Sequence, residues 1–236
     1  MTIDDWLANA REDDRIVGVV LTGSRGRDVL VHEGSDWDLR VAVADEHQAF
    51  ADSLETRHGS EVEVAATTVS NFRVWSDWDR YSFAHATVLV DKLGGDFARI
   101  VAELGSLSAS EASALAREAL GAYTNSLYRS LRDASRGLDL AARLDAAESV
   151  TSLVATIFAL ERRVRPFNKY LAWELEQHPL AEWDSAELVA LLEGALTGAA
   201  AEQRRLFRKA EKQIRRHGLA DVVDDWHPHV PFLRGA

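Results

Sequence analysis

Strand-like and helix-like patterning are segregated along this chain of 236 residues. Alternating or β-branched apolar runs of strand length occur only before about residue 95. They are Ile16-Val17-Gly18-Val19-Val20-Leu21, the stretch that follows Asp36, Glu61-Val62-Glu63-Val64-Ala65-Ala66-Thr67-Thr68, and Ala86-Thr87-Val88-Leu89-Val90. From about residue 96 the alternation stops and apolar residues recur with helical spacing to the end. Strands followed by an uninterrupted helical half predict an α+β chain: a mixed β-sheet with flanking helices, then an all-α helical bundle. The change falls within residues 95–107 and divides the chain into expected domains 1–100 and 101–236.

Local signals place the remaining elements. Residues 2–13 read as an amphipathic helix with Trp6 and Leu7 on its apolar side. Glu46 to His58 reads as helix, with Phe50 and Leu54 four apart on one face and Gly59 as the stop. Between Ser70 and Tyr81 an aromatic and acidic segment, NFRVWSDWDRY, reads as a packed irregular connection. Asp91 ends the fourth strand as a turn-former. In the second half, Ser108 and Glu111 form a capping-box pattern that opens a helix running toward Arg136 and broken by Gly137. A second long helix is expected over Leu138–Arg165, ended by Pro166. A short one covers Asn168–Gln177, and one capped by Asp184-x-x-Glu187 stops near Gly198. The last covers Ala200–His217 before Gly218, with the basic run Arg204 to Arg216 read as a solvated face.

Composition removes several function classes. Without cysteine there is no disulfide and no thiolate metal site. The acidic amphipathic start does not read as a signal peptide, and no apolar run has membrane-spanning length, so a soluble, cytoplasmic protein without membrane association is expected. The formal net charge of −11 argues against a nucleic-acid polymer as partner and suits a cationic small molecule. No Gly-rich loop ends in Gly-Lys-Ser/Thr, no Gly-x-Ser-x-Gly elbow is present, and His227-Pro-His229 has no carboxylate or thiol partner at metal-ligand spacing. His85 reads as a packing residue.

Chemistry concentrates between Leu21 and Val43. On an extended strand, Asp36 and Asp38 project from one face while Trp37 and Leu39 point into packing. Two carboxylates held so close repel and call for a cation between them, of which a divalent metal is the simplest. Upstream, Gly23 permits a sharp turn with close backbone approach, and Ser24 is placed to cap the following helix, whose first N–H groups would attract phosphate. Arg40 shares the face of Asp38, where it balances charge or touches substrate. On the third strand Glu61 and Glu63 share a face, and either completes a three-carboxylate site.

Gly23-Ser24, a spacer, then Asp36-Trp37-Asp38 before an apolar strand resembles the signature of the DNA polymerase β-like nucleotidyltransferase superfamily. With its helical second half, the chain resembles bacterial aminoglycoside and lincosamide nucleotidyltransferases. The resemblance implies that Gly23 and Ser24 hold a nucleotide triphosphate and that Asp36 and Asp38 ligate two Mg2+ ions. It assigns the third metal-binding and catalytic carboxylate to Glu63, which precedes an apolar strand segment, and leaves Glu61 at a solvated strand end. The basic segment Glu161 to Tyr170 is similar to a run facing the cleft in that family, which implies that Lys169 contacts the triphosphate beside Tyr170; its arginines also suit a helix C-terminus. The implied reaction moves a nucleoside monophosphate, with ATP the expected donor, to a hydroxyl of a small molecule such as an antibiotic. Trp75, Trp78, Asp77 and Asp79 are the expected acceptor wall if the 70–81 segment lines that pocket. The alternative is an antitoxin-like nucleotidyltransferase that binds or modifies a protein partner. A long helical domain and the lack of an Arg-x4-6-His motif speak against it.

Overall fold

The computed structural model describes residues 2–56 and 59–235, with Asp77 described by its backbone alone. The chain forms two compact units, Met1–Ser106 and Leu107–Ala236. The first holds a mixed four-stranded sheet with helices, and among the described residues the regular elements of the second are all helical.

In the first unit, α1 (Ile3–Glu12) opens at a capping box between Thr2 and Asp5 and buries Trp6, Leu7 and Ala10. It is followed by β1 (Ile16–Leu21), α2 (Gly23–Arg27) and β2 (Trp37–Val43). Next come α3 (Gln48–Leu54), β3 (Val62–Thr68), α4 (Val69–Phe72) and α5 (Asp77–Arg80). The unit closes with β4 (Thr87–Asp91) and α6 (Asp96–Leu104). The sheet order is β3-β2-β1-β4. β1 pairs antiparallel with both neighbours, whereas β2 and β3 run parallel with Asp38 opposite Glu63.

Each face of the sheet has its own core, as the period-two alternation requires. Val19, Leu21, Leu39, Val41 and Val64 pack with Trp6 and Leu7 of α1 and with Phe50, Ala51 and Leu54 of α3. Val20 and Ala42 face the other way, against Phe72, Phe83, Phe97, Ile100 and Leu104. Gly18 permits this second core, because a Cβ there would stand 2.5 Å from the Phe97 ring. β4 ends as expected at Asp91, whose carboxylate accepts the N–H groups of Leu93 (2.8 Å) and Ala98 (3.0 Å). Burial works against that charge, but the converging backbone N–H groups outweigh it and hold Asp91 below the usual aspartate value.

Several boundaries differ from the sequence reading. The units divide between Ser106 and Leu107, at the end of the expected 95–107 span, because α6 lies on the sheet and the buried Arg80 ties the chain down by donating to the carbonyls of Leu104 (3.1 Å) and Ser106. Helix α3 stops at Leu54, well before Gly59: Thr56 already bonds to β3, its N–H to Val64 at 3.2 Å and its hydroxyl to the Val62 carbonyl at 3.2 Å, which draws the chain into extended form. The end of the expected helix at residues 57 and 58 lies outside the described residues. The 70–81 segment is not irregular but holds α4 and α5, with Trp75 packed edge-on to Phe72 and Phe83. His85 is exposed instead of packed, in left-handed backbone with φ 61.

The second unit begins with α7 (Ala109–Ala134), opened by the Ser108–Glu111 capping box, and α8 (Asp139–Leu160). Then come α9 (Leu171–Gln177), α10 (Ser185–Leu196), α11 (Ala200–Arg216), α12 (Ala220–Asp224) and α13 (Val230–Arg234). α8 ends at Leu160, not Arg165. Arg162 adopts the left-handed conformation (φ 57) and the Arg163 N–H turns back to the Phe158 carbonyl at 3.0 Å, a helix-closing geometry usually built on glycine. The basic face of α11 is not simply solvated. Arg204 and Arg208 donate to the carbonyls of Phe232 and Arg234, and Arg215 pairs with Glu211 and Asp224. No helix of the described residues is long and apolar enough to cross a membrane.

Candidate metal centre

Asp36, Asp38 and Glu63 come together where the parallel pair β2–β3 begins. Each is half-buried, and each offers a carboxylate oxygen within 4.8 Å of the others. Asp38 sits opposite Glu63 in the ladder, so the strand register itself sets these two side by side. Asp36 precedes β2 by one residue and shares the face of Asp38, while Leu39 is fully buried on the opposite face, as the alternation predicts. Glu61 does not join the group. It is exposed, and its carbonyl accepts the Trp37 N–H at 2.9 Å, fixing the entry of β3 beside β2. Glu63 also accepts the Gly59 N–H at 2.5 Å.

The turn after β1 abuts these carboxylates. Thr22 donates to the Asp38 carbonyl through its N–H (2.8 Å) and its hydroxyl (3.1 Å), locking the turn to the strand that carries the acid. Gly23 has φ +65, and a Cβ on it would lie 1.8 Å from Asp38 Oδ2. Glycine is therefore required twice here, for the dihedral and for the contact. Helix α2 starts at Gly23, with Thr22 rather than Ser24 at the cap position and no side-chain cap bond. The expectation that Ser24 caps this helix is thus corrected: Ser24 lies inside the first turn, and its hydroxyl bonds to no described residue.

Two residues that the sequence reading left without a role hold this turn. Arg27, only 8% exposed, donates to the Gly23 carbonyl (2.8 Å) and to the Tyr81 carbonyl (2.5 Å), and its guanidinium lies over the Tyr81 ring at 4.6 Å. Arg25 lies over Trp37 at 4.4 Å and clamps the Ser35 carbonyl through two donors at 3.0 and 2.8 Å, pinning the loop that delivers Asp36. The Arg25-Gly26-Arg27 spacing was the available signal, but only tertiary contacts reveal which carbonyls the arginines reach.

Arg40 shares the sheet face of Asp38, half-buried, with its guanidinium 5.9 Å from the Trp75 ring. Its buried Nε has no hydrogen-bond partner among the described residues. Lys169 belongs to the second unit, where it is exposed in the turn before α9 with its ammonium 4.7 Å from the Tyr170 ring. The arginines near it are engaged within that unit: Arg163 pairs with the buried Glu174, and Arg165 donates to Asn168 Oδ1 at 2.6 Å. In the 70–81 segment, the Trp75 indole N–H is committed to the Phe72 carbonyl at 2.7 Å. Asp79 accepts from Ser76, whereas Trp78 is 61% exposed.

A set of three carboxylates offers hard oxygen donors, the chemistry of Mg2+, Mn2+ or Ca2+ and not of thiolate-seeking metals. The donor atoms lie close enough to share one ion, and the absence of a Cβ at Gly23 makes room for the Asp38 carboxylate among them. The residues present therefore fit a divalent ion.

No model of a known protein family matches the chain, and no curated protein is significantly similar to it.

Proposed function

We propose that the chain is a metal-dependent nucleotidyltransferase that moves a nucleoside monophosphate from a nucleotide triphosphate, ATP by preference, to a hydroxyl of a small molecule. The observation that carries this reading is the meeting of Asp36, Asp38 and Glu63 within 4.8 Å beside a Gly23 turn pressed against Asp38. Asp36, Asp38 and Glu63 would hold the Mg2+ ions, which when bound supply positive charge to the phosphates and to the attacking oxygen.

The chain's own groups do the rest. Gly23 and Ser24 present backbone N–H groups with no carbonyl partner inside the helix, together with a hydroxyl bonded to no described residue, for the phosphates. Arg27 and Thr22 keep that turn fixed, so its donors are oriented before the nucleotide arrives. Glu63 is the group in this set to take the proton from the acceptor hydroxyl. The acceptor oxygen then bonds to the α-phosphorus as the bond to the pyrophosphate leaving group breaks. Arg40, with an uncommitted Nε on the same face, balances negative charge there. Lys169 is the second unit's candidate triphosphate contact, and an aminoglycoside or lincosamide is the proposed class of acceptor.

The test is incubation of the purified protein with labelled ATP, Mg2+ and a panel of hydroxylated small molecules, read by mass spectrometry. An acceptor gaining the mass of a nucleoside monophosphate, with pyrophosphate released, supports the reading. Failure to bind any nucleoside triphosphate in the presence of Mg2+ overturns it.

A further inference from the structure

A second candidate site lies wholly within the helical unit. A cavity of ≈ 710 Å³ opens between α9 and α10, floored by Leu175, Pro179, Trp183 and Val189 and rimmed by Glu176, Asp184 and Glu193. That volume is within the range of small-molecule pockets. With its N–H committed to Gln213 Oε1 at 2.7 Å, the Trp183 indole offers only ring carbon to the cavity.

The charges around it are sorted. From Leu171 to Gln203 the chain has no lysine or arginine, and α9, α10 and their connection carry six acids. Three are neutralised by cations from outside this stretch: Glu174 by Arg163, Glu182 by Arg216, and Glu187 by Lys209. The other three are those that rim the cavity, and none of them has an ion pair among the described residues. Asp184 spends one oxygen on the Glu187 N–H as a helix cap, whereas Glu176 and Glu193 make no hydrogen bond to any described residue. An apolar floor beneath an uncompensated negative rim complements a molecule with an apolar body and a cationic head.

We infer that this cavity binds an amphipathic organic amine. A helical peptide suits it less, because α9 is only 7 residues long and gives too short a wall for anchors spread over several turns.

Isothermal titration of the full chain with phenylbutylamine, phenylbutanol and phenylbutanoate separates charge from apolar bulk. The amine should bind tightest and the carboxylate weakest, and salt should weaken only the amine. Changing Glu176→Gln and Glu193→Gln together should weaken the amine about threefold to tenfold and leave the alcohol unchanged. Ala190→Trp, at an exposed position of the lining, should abolish binding of both. Equal affinity for the three probes, no binding of the amine, or amine binding indifferent to the glutamine pair overturns the inference. So does capture of a basic amphipathic peptide at this cavity in place of the amine. The glutamine pair replaces exposed side chains, so its fold is retained even if the tryptophan variant misfolds.

Discussion

Two sets of carboxylates, one in each unit, are placed in opposite ways. In the helical unit, acids that leave solvent go to arginine: Asp145 to Arg129 (2.5 Å), Glu174 to Arg163, and Glu211 to both Arg215 (2.8 Å) and Arg234. At Glu211 burial raises the pKa, yet the two guanidiniums prevail and the carboxyl stays below its usual value. In the sheet unit, strand register sets Asp38 against Glu63 with Asp36 on the same face, and the neighbouring arginines Arg25 and Arg27 donate to backbone carbonyls. Residues 1–106 also carry nearly all of the net charge of −11, with about twice as many acids as bases. On the proposed function, the grouped acids would serve a metal ion, whereas the arginine-paired acids hold the helical unit together.

The largest effect that would break this contrast is on turnover. Asp36→Asn, Asp38→Asn or Glu63→Gln should each lower transfer by more than the roughly hundredfold typical of losing a supporting outer contact at a metal site. Glu61→Gln should leave it nearly unchanged, and steady-state kinetics would show whether that ranking is reversed. Glu174→Gln should instead act on stability. It leaves the Arg163 guanidinium, which also bonds the His178 carbonyl at 2.7 Å, without its buried counter-charge, at a cost of about 3 kcal/mol in denaturant unfolding.

Gly23→Ala stands between the two classes. The left-handed dihedral costs about 1–3 kcal/mol, and the new Cβ displaces Asp38, so unfolding free energy and Mg2+ affinity should fall together. A variant that lost stability but kept its metal affinity would detach the turn from the site.

The smallest effect concerns Asp13, whose carboxylate is hydrogen-bonded by the Arg15 guanidinium at 2.9 and 2.7 Å and has its pKa lowered from 3.8 to about 2. A depressed carboxyl contributes stability that is fully present above its unfolded value and is lost as pH falls through its folded value. Acid unfolding of Asp13→Asn should therefore lack a small component between about pH 4 and about pH 2 that the parent chain shows.

Much of this was legible because the signals were local. β1 spans Ile16–Leu21 as its β-branched run indicates, and the caps at Ser108 and Asp184 are where the spacing put them. Asp36 and Asp38 share a face for the period-two reason, and Glu63 joins them through one ladder register. What was missed depended on partners distant in sequence. The end of α8 rests on Arg162, whose left-handed turn is held by its Nε bond to the Leu107 carbonyl at 3.1 Å, and no glycine announced it. The helices α12 and α13 are short and are held by partners distant in sequence: Arg117 and Arg215 pair with Asp221 and Asp224 of α12, and the Tyr128 ring lies 5.8 Å from Phe232 of α13. Arg27 gave no local hint of its reach to Tyr81.

The central claim is that the three grouped carboxylates are a metal site and not a solvated strand end. Thermal unfolding of the parent chain and of Asp38→Asn, each with and without Mg2+, tests it most directly. A ligand that binds only the folded state stabilises it by about 2.7 kcal/mol at a hundred times its dissociation constant. The parent should rise in Tm with Mg2+, while Asp38→Asn, relieved of like-charge repulsion, should match or exceed the metal-free parent and ignore the ion. An Asp38→Asn variant that is less stable without metal, or that responds to Mg2+ as the parent does, would contradict the account.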